Sequence, residues 1–395
     1  MKIAGVIAEY NPFHSGHKYH LDETARRTSC DFLVVAMSGA FTQRGDPALL
    51  DKWTRARMAL LGGADLVVEL PALFAVRTAD HFARGGVSLL ARLGTEVLSF
   101  GCEPESLSVL DAMRRALAEE SPALREAIRL RLSEGKSHAR ARGEALSEHL
   151  GIDPETVNAP NTVLALEYLK AIRSLEVPME ALAVPRTGSY HSKALGEIAS
   201  ATAIREAIRR GQAEEAFGAM PETSATLIRA GGDDRFSDPS TLDNLLLYRL
   251  RAMPAEEIAA LADMGEGLEM RFMKLLPDAT SREALLQALK CKRYTLARLN
   301  RLCTYALLGM DRALTERITR PPYARVLGFR ERARPLMRKI ADSGRIPLVT
   351  RASSLAEDAC FGLDCRATDL WGLTAADPML RKAGRDYAEK VVLLP

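Results

Sequence analysis

Ile3-Ala4-Gly5-Val6-Ile7-Ala8-Glu9-Tyr10-Asn11-Pro12-Phe13-His14-Ser15-Gly16-His17 decides how the chain is read. The apolar run Ile3 to Ala8 is too short for a core helix and reads as a buried first strand. Asn11-Pro12 breaks the run, Gly16 lets backbone approach whatever occupies the turn, and a helical pattern opens at His17. A helix starting directly after a strand favours an anion, because free backbone N–H groups and the positive end of the helix dipole meet there. His14 and His17 add imidazoles that can follow charge building on an α-phosphate. Three histidines at three-residue spacing (His14, His17, His20) could also suggest a metal cluster or plain core histidines, but no acidic or cysteine ligand stands at matching spacing nearby. No metal site is therefore expected. The Gly-rich dinucleotide fingerprint and the Walker lysine loop are both absent.

Outward from this stretch, strand and helix patterns alternate through the N-terminal half. Candidate strands are Lys2 to Ala8, Phe32 to Met37, Leu66 to Leu70, Val97 to Phe100 and Ala181 to Val184. Helical patterns cover His17 to Arg27, Leu49 to Leu61, Ala79 to Leu93, Thr162 to Ile172 and Thr202 to Arg209. The expected fold class is α/β, a mostly parallel Rossmann-like sheet covered on both faces, with ligands held at the carboxyl ends of the strands. Residues 105–150 read as a helical insertion. Helices without strands are expected from about Gly211, and short apolar runs return at Ile346 to Val349 and Val391 to Leu394. The expected organisation is a nucleotide-binding domain over 1–211, a helical region over 212–344 and a small α/β end piece over 345–395.

The net charge of +3 hides an uneven distribution. Lys290 to Arg345 carries fifteen Lys or Arg against four Asp or Glu, so the rest of the chain is acidic. Lys290, Lys292, Arg293, Arg298 and Arg301 lie at helical spacing with Tyr294 and Tyr305 among them. Such a run is either a solvated helix face or an electrostatic footprint for RNA, whose unstacked bases call for aromatic faces as well as countercharge. Six cysteines are scattered without C-x-x-C spacing, which argues against a zinc ribbon and a secreted disulfide framework. With no leader pattern and no membrane-length apolar run, a cytoplasmic location is expected.

His14-Ser15-Gly16-His17 resembles the phosphate-binding signature of the HIGH-type nucleotidyltransferases and class I aminoacyl-tRNA synthetases. The longer string Ala8 to His20 closely resembles the bacterial tRNA(Met) cytidine acetate ligase family. Agreeing blocks follow in order: Met37-Ser38-Gly39, Gln43-Arg44-Gly45, Phe100-Gly101-Cys102-Glu103, Pro160-Asn161, Tyr190-His191 and Ala199 to Arg205. The resemblance implies an ATP-dependent ligase, with Mg²⁺ accompanying the nucleotide, that activates acetate as acetyl-adenylate. The acetyl group would then pass to N4 of the wobble cytidine of elongator tRNA(Met). It implies ATP contacts along Ile7, Ala8, Glu9, Tyr10, Asn11, Pro12, Phe13, His14, Ser15, Gly16, His17, Lys18, Tyr19 and His20, with His14 and His17 catalytic. Gly101, Asn161, Arg186, Ser200 and Thr202 complete the expected ATP site. Neither a membrane nor a protein partner is implied.

The residues alone leave alternatives open. Gly101 is equally an ordinary turn glycine, Asn161 and Ser200 equally helix caps. Gln43, Arg44 and Lys52 could clamp pyrophosphate or the tRNA end, with Arg55 beside them, while Glu9 and Asp46 are general-base candidates by position only. A small-molecule adenylyltransferase shares the His-x-Gly-His turn, and a non-catalytic RNA-binding protein could keep a nucleotide fold. The long basic tail counts against the first, the intact His14, Gly16, His17 and Thr202 against the second.

Overall fold

A computed structural model describes residues 1–103, 107–186 and 199–395. Its centre is an eight-stranded sheet. The strands are β1 (Ile3–Ala8), β2 (Phe32–Ser38), β3 (Leu66–Leu70), β4 (Val97–Cys102), β5 (Glu180–Pro185), β6 (Ala324–Arg330), β7 (Leu348–Val349) and β8 (Val392–Leu394). They run in the order β5-β4-β1-β2-β3-β6-β7, with β8 also paired to β6. β1 to β5 are mutually parallel, as near-continuous apolar runs require when both faces are covered. Ile3, Ile7, Val34 and Ala36 enter one core, Val6, Leu33, Val35 and Met37 the other. The helix Ala79–Arg92 lies so close to the first face that a Cβ at Gly86 would stand 2.6 Å from Ile7 Cδ1.

Strand order places the ligand edge. The chain leaves β1 for β2 and β3 on one side, then crosses back to place β4 on the other side of β1. The crevice beyond the carboxyl ends of β1 and β4 is thus the topological switch point, where such sheets bind ligands.

The expected strands and helices of the N-terminal half form, with small shifts at their ends. Helix α1 (Ser15–Thr28) begins directly after the first turn, helix α2 (Lys52–Leu61) begins after an Asp51 cap, and the helix Pro160–Ser174 begins on a proline. Helices occupy most of the expected insertion, including Pro122–Ser133 and His138–Leu150.

One stretch reads differently. Residues 324–330, expected to be helical, form β6, antiparallel to β3 with Leu66 opposite Phe329. The charges of Arg325 and Arg330 obscure an apolar run, but Arg325 is buried, bound to Glu69 and Asp386 rather than to solvent. The expected C-terminal strands form as well, both against β6 and hence in the main sheet.

Candidate active site

The chain turns sharply after β1. Tyr10 adopts φ 47° and the Asn11-Pro12 bond is cis. Four long-range bonds fix this turn. Glu9 Oε1 accepts from the Gln43 N–H at 2.7 Å, Asn11 Oδ1 from the Leu49 N–H at 2.7 Å, the Glu9 carbonyl from Arg55 at 2.7 Å and the Asn11 carbonyl from Arg205 at 2.6 Å. Tyr10 and Phe13 are buried, edge to face, with His17 packed on Tyr10.

His14 is the N-cap of α1, an unusual choice that determines its chemistry. Its Nδ1 accepts from the Gly16 N–H at 3.1 Å, and His17 Nδ1 accepts from the His14 N–H at 3.3 Å, a capping box built from two imidazoles. A neutral imidazole that accepts at Nδ1 carries its proton at Nε2. Both rings, stacked at 3.7 Å, are therefore Nε2–H donors. Burial pushes His14 down to about 3, with the Arg186 and Arg205 charges adding to it. His17 is also held well below its ordinary value by burial, then by His14 and Arg186. Burial and Arg186 lower His20 to about 4, and its Nε2 lies 2.9 Å from Ser99 Oγ on β4.

These depressed values make a stability prediction. A histidine neutral in the folded chain and protonated at about 6.5 when unfolded stabilises the fold fully above pH 6.5, and the contribution disappears as pH falls toward the folded value. For His14 the loss between pH 7 and pH 5 is on the order of 2 kcal/mol. Urea unfolding of the nucleotide-free protein is expected to show this fall, and His14→Asn to show less of it. An unchanged pH slope in the variant would contradict the buried neutral state.

The first-turn amides are less available than the sequence implies. Ser15 N–H is given to the Ala219 carbonyl at 3.0 Å, Gly16 N–H to the His14 ring and His17 N–H to the His14 carbonyl. What α1 offers an anion is its dipole and the two Nε2–H groups. Arg186 acts through its charge on all three histidines of this turn and helix. Its stem lies beside Gly101, where a Cβ would meet Cγ at 3.4 Å, and its buried Nε has no partner among the described residues.

At the other side of the cleft, Ser200 caps the helix Ala201–Arg209 by accepting from the Ala203 N–H at 3.1 Å. Thr202 Oγ1 accepts from Arg205, whose other arm holds the Asn11 carbonyl, so this helix start is tied to the first turn. Asn161 is not a cap. The cap position is Ala159, and Asn161 Nδ2 donates to Glu103 Oε1 at 2.6 Å. The Tyr190-His191 block lies outside the described residues.

Several expected roles change. Lys52 is buried against Glu69 and Asp386, each at 2.7 Å, and its ammonium is taken up by these two carboxylates. Arg55, fully buried, spends its guanidinium on the carbonyls of Leu50, Glu9, Ser38 and Gly39 and so shapes the crevice floor. Asp46 is bound through Oδ1 by Asn300 and Arg282, each at 3.0 Å, and so is tied to the helical region. The loop 42–46 is thus a strap from the first turn, through Gln43, to the helix Leu296–Leu308, which also grips the Gly45 carbonyl through Thr304.

The five basic residues divide. Lys290, Lys292 and Arg293 are exposed in the turn before that helix. Arg298 bonds to Glu266 at 2.8 Å and lies over the Tyr294 ring, while Arg301 is buried where a Cβ on Gly45 would meet its Cα at 3.0 Å.

The family model of the HIGH Nucleotidyl Transferase matches residues 1–386. A tRNA(Met) cytidine acetate ligase of Syntrophomonas wolfei is 37% identical over 413 residues, covering 99% of both chains. One of Clostridium kluyveri is 37% identical, covering 94% of this chain and 95% of its own. The crystal structure of Thermotoga maritima TmcAL bound with alpha-thio ATP superposes with a TM-score of 0.90 at 30% identity, covering 100% of both chains.

Proposed function

The chain belongs to the HIGH nucleotidyl transferases and, among them, to the tRNA(Met) cytidine acetate ligases, and from that membership we propose that it acetylates the wobble cytidine of elongator tRNA(Met) at the expense of ATP. The observation that carries this reading is the pair of Nε2–H donors at the first turn, backed by Arg186, in a chain matched end to end by acetate ligases.

The triphosphate lies across the ends of β1 and β4. An acetate oxygen attacks the α-phosphorus in line, the bond to the pyrophosphate oxygen breaks, and acetyl-adenylate forms. His14 and His17 donate to the α-phosphate oxygens as charge grows there, and Arg186 balances that charge. Stabilisation of this kind requires no proton transfer, which agrees with imidazoles held neutral by burial. The cytidine N4 amine then attacks the acetyl carbonyl, AMP leaves, and N4-acetylcytidine results. Gly101, Asn161, Ser200 and Thr202 line the nucleotide's path with residues 7–20. Mg²⁺ is placed with the triphosphate, as the counter-ion that ATP brings.

Residues 1–211 perform activation and the helical region takes the tRNA. The exposed Lys290, Lys292 and Arg293 contact phosphates, and Arg298 and Arg301 brace the helix behind them. No helix of the described residues is long and apolar enough to cross a membrane, and we place the enzyme in the cytoplasm, where its tRNA is found.

Acetate-dependent exchange of labelled pyrophosphate into ATP, measured without tRNA, tests the activation step. Replacing Lys290, Lys292 and Arg293 with Glu is expected to spare this exchange and to weaken tRNA binding strongly. The wild-type tRNA affinity is also expected to fall steeply with salt, each neutralised phosphate contributing a log–log slope of roughly 0.7 to 0.9. Equal loss of both activities, or a tRNA slope as shallow as that of ATP, would remove this segment from the tRNA site.

A further inference from the structure

Glu103 follows the last residue of β4, and Asn161 stands in the first turn of the helix Pro160–Ser174. The Asn161 amide donates from Nδ2 to Glu103 Oε1 at 2.6 Å, and the Thr162 hydroxyl donates to Oε2 at 3.2 Å. A carboxylate only accepts, so the amide cannot be turned round while this pair stands. Asn161 Oδ1 is consequently the atom facing away from Glu103, and no described residue donates to it. Two residues back along β4, Gly101 and the Arg186 stem mark the ligand edge. An otherwise reversible amide is therefore held as an acceptor at the rim of the crevice.

We propose that Glu103 is a positioning residue that fixes Asn161 as an acceptor and thereby selects a purine bearing an exocyclic amine at carbon 6. This rests on the reading that the crevice binds a nucleoside triphosphate. The adenine N6 amine donates to Oδ1. A purine with a keto oxygen at that place sets two acceptors against each other, and a site built to accept a hydrogen bond rejects the analogue that cannot give it.

The test is the affinity of the full chain for ATP and for inosine triphosphate, which carries the keto oxygen, by calorimetry without tRNA. The wild type is expected to prefer ATP by about tenfold or more, the worth of one good hydrogen bond. In Glu103→Gln the new amide can donate to Asn161 Oδ1 and let the Asn161 NH2 turn outward, so the preference should fall toward parity. Should that variant not fold, Asn161→Ala, which removes the acceptor, must collapse the same ratio. An unchanged ratio would overturn the proposal, as would equal weakening of both nucleotides, the mark of a merely structural residue. A wild type that binds neither nucleotide would overturn the nucleotide reading itself, a result separable from loss of selectivity alone.

Discussion

His14→Asn and His17→Ala will each slow acetyl-adenylate formation by about a hundredfold or more, the usual cost of removing one preorganised donor to a charged transition state. Asparagine is the better probe at position 14. His14 caps α1 through Nδ1, and loss of a cap costs about 1 kcal/mol, which would mix a folding defect with a catalytic one. Asparagine keeps an acceptor for the Gly16 N–H and removes the Nε2 donor. Because the rings are buried and neutral, the wild-type exchange rate should show no histidine titration between pH 6 and 8. Near wild-type exchange in either variant would take that ring out of the mechanism.

Lys52→Met will lower folding stability by about 3–5 kcal/mol, since it leaves two buried carboxylates facing one remaining cation. Lys52 Nζ lies 2.7 Å from both Glu69 Oε1 and Asp386 Oδ1, and Arg325 binds the same two carboxylates from β6. All four side chains are almost wholly removed from water. Burial lowers Lys52 to about 8, opposed by the attraction of Glu69. The cluster joins α2, β3, β6 and the short helix near the C-terminus, so its failure should detach the C-terminal strands from the sheet. Chemical unfolding measures the loss, and the double variant Lys52→Met with Glu69→Gln should recover part of it, as charges that interact do. A single variant within 1 kcal/mol of wild type would mean that the cluster contributes little.

The fold was legible where periodicity and chemistry agreed. Ile3 to Ala8, Phe32 to Met37 and Leu66 to Leu70 are short apolar runs bounded by breakers, and a sheet buried on both faces is their natural setting. β6 was not, because Arg325 and Arg330 make a buried strand look like part of a basic helix, and the acids that neutralise Arg325 are far away in sequence. The site divides the same way. The histidine pair and its helix could be read locally, whereas their tautomers could not, since these depend on the Gly16 and His14 N–H groups. Lys52 and Arg55 looked like ligand clamps because sequence shows charge without burial. Glu103 was legible only as the end of the block Phe100 to Glu103, without a role, since its contact forms only when the helix start at Pro160 is brought against the end of β4.

The central claim is tested most directly by incubating the protein with ATP, carboxyl-labelled acetate and total tRNA, then digesting the RNA to nucleosides. Label is expected in N4-acetylcytidine from elongator tRNA(Met), dependent on ATP and lost with His14→Asn. Label reaching acetyl-adenylate but never RNA, or no acetate-dependent turnover of ATP at all, would contradict it.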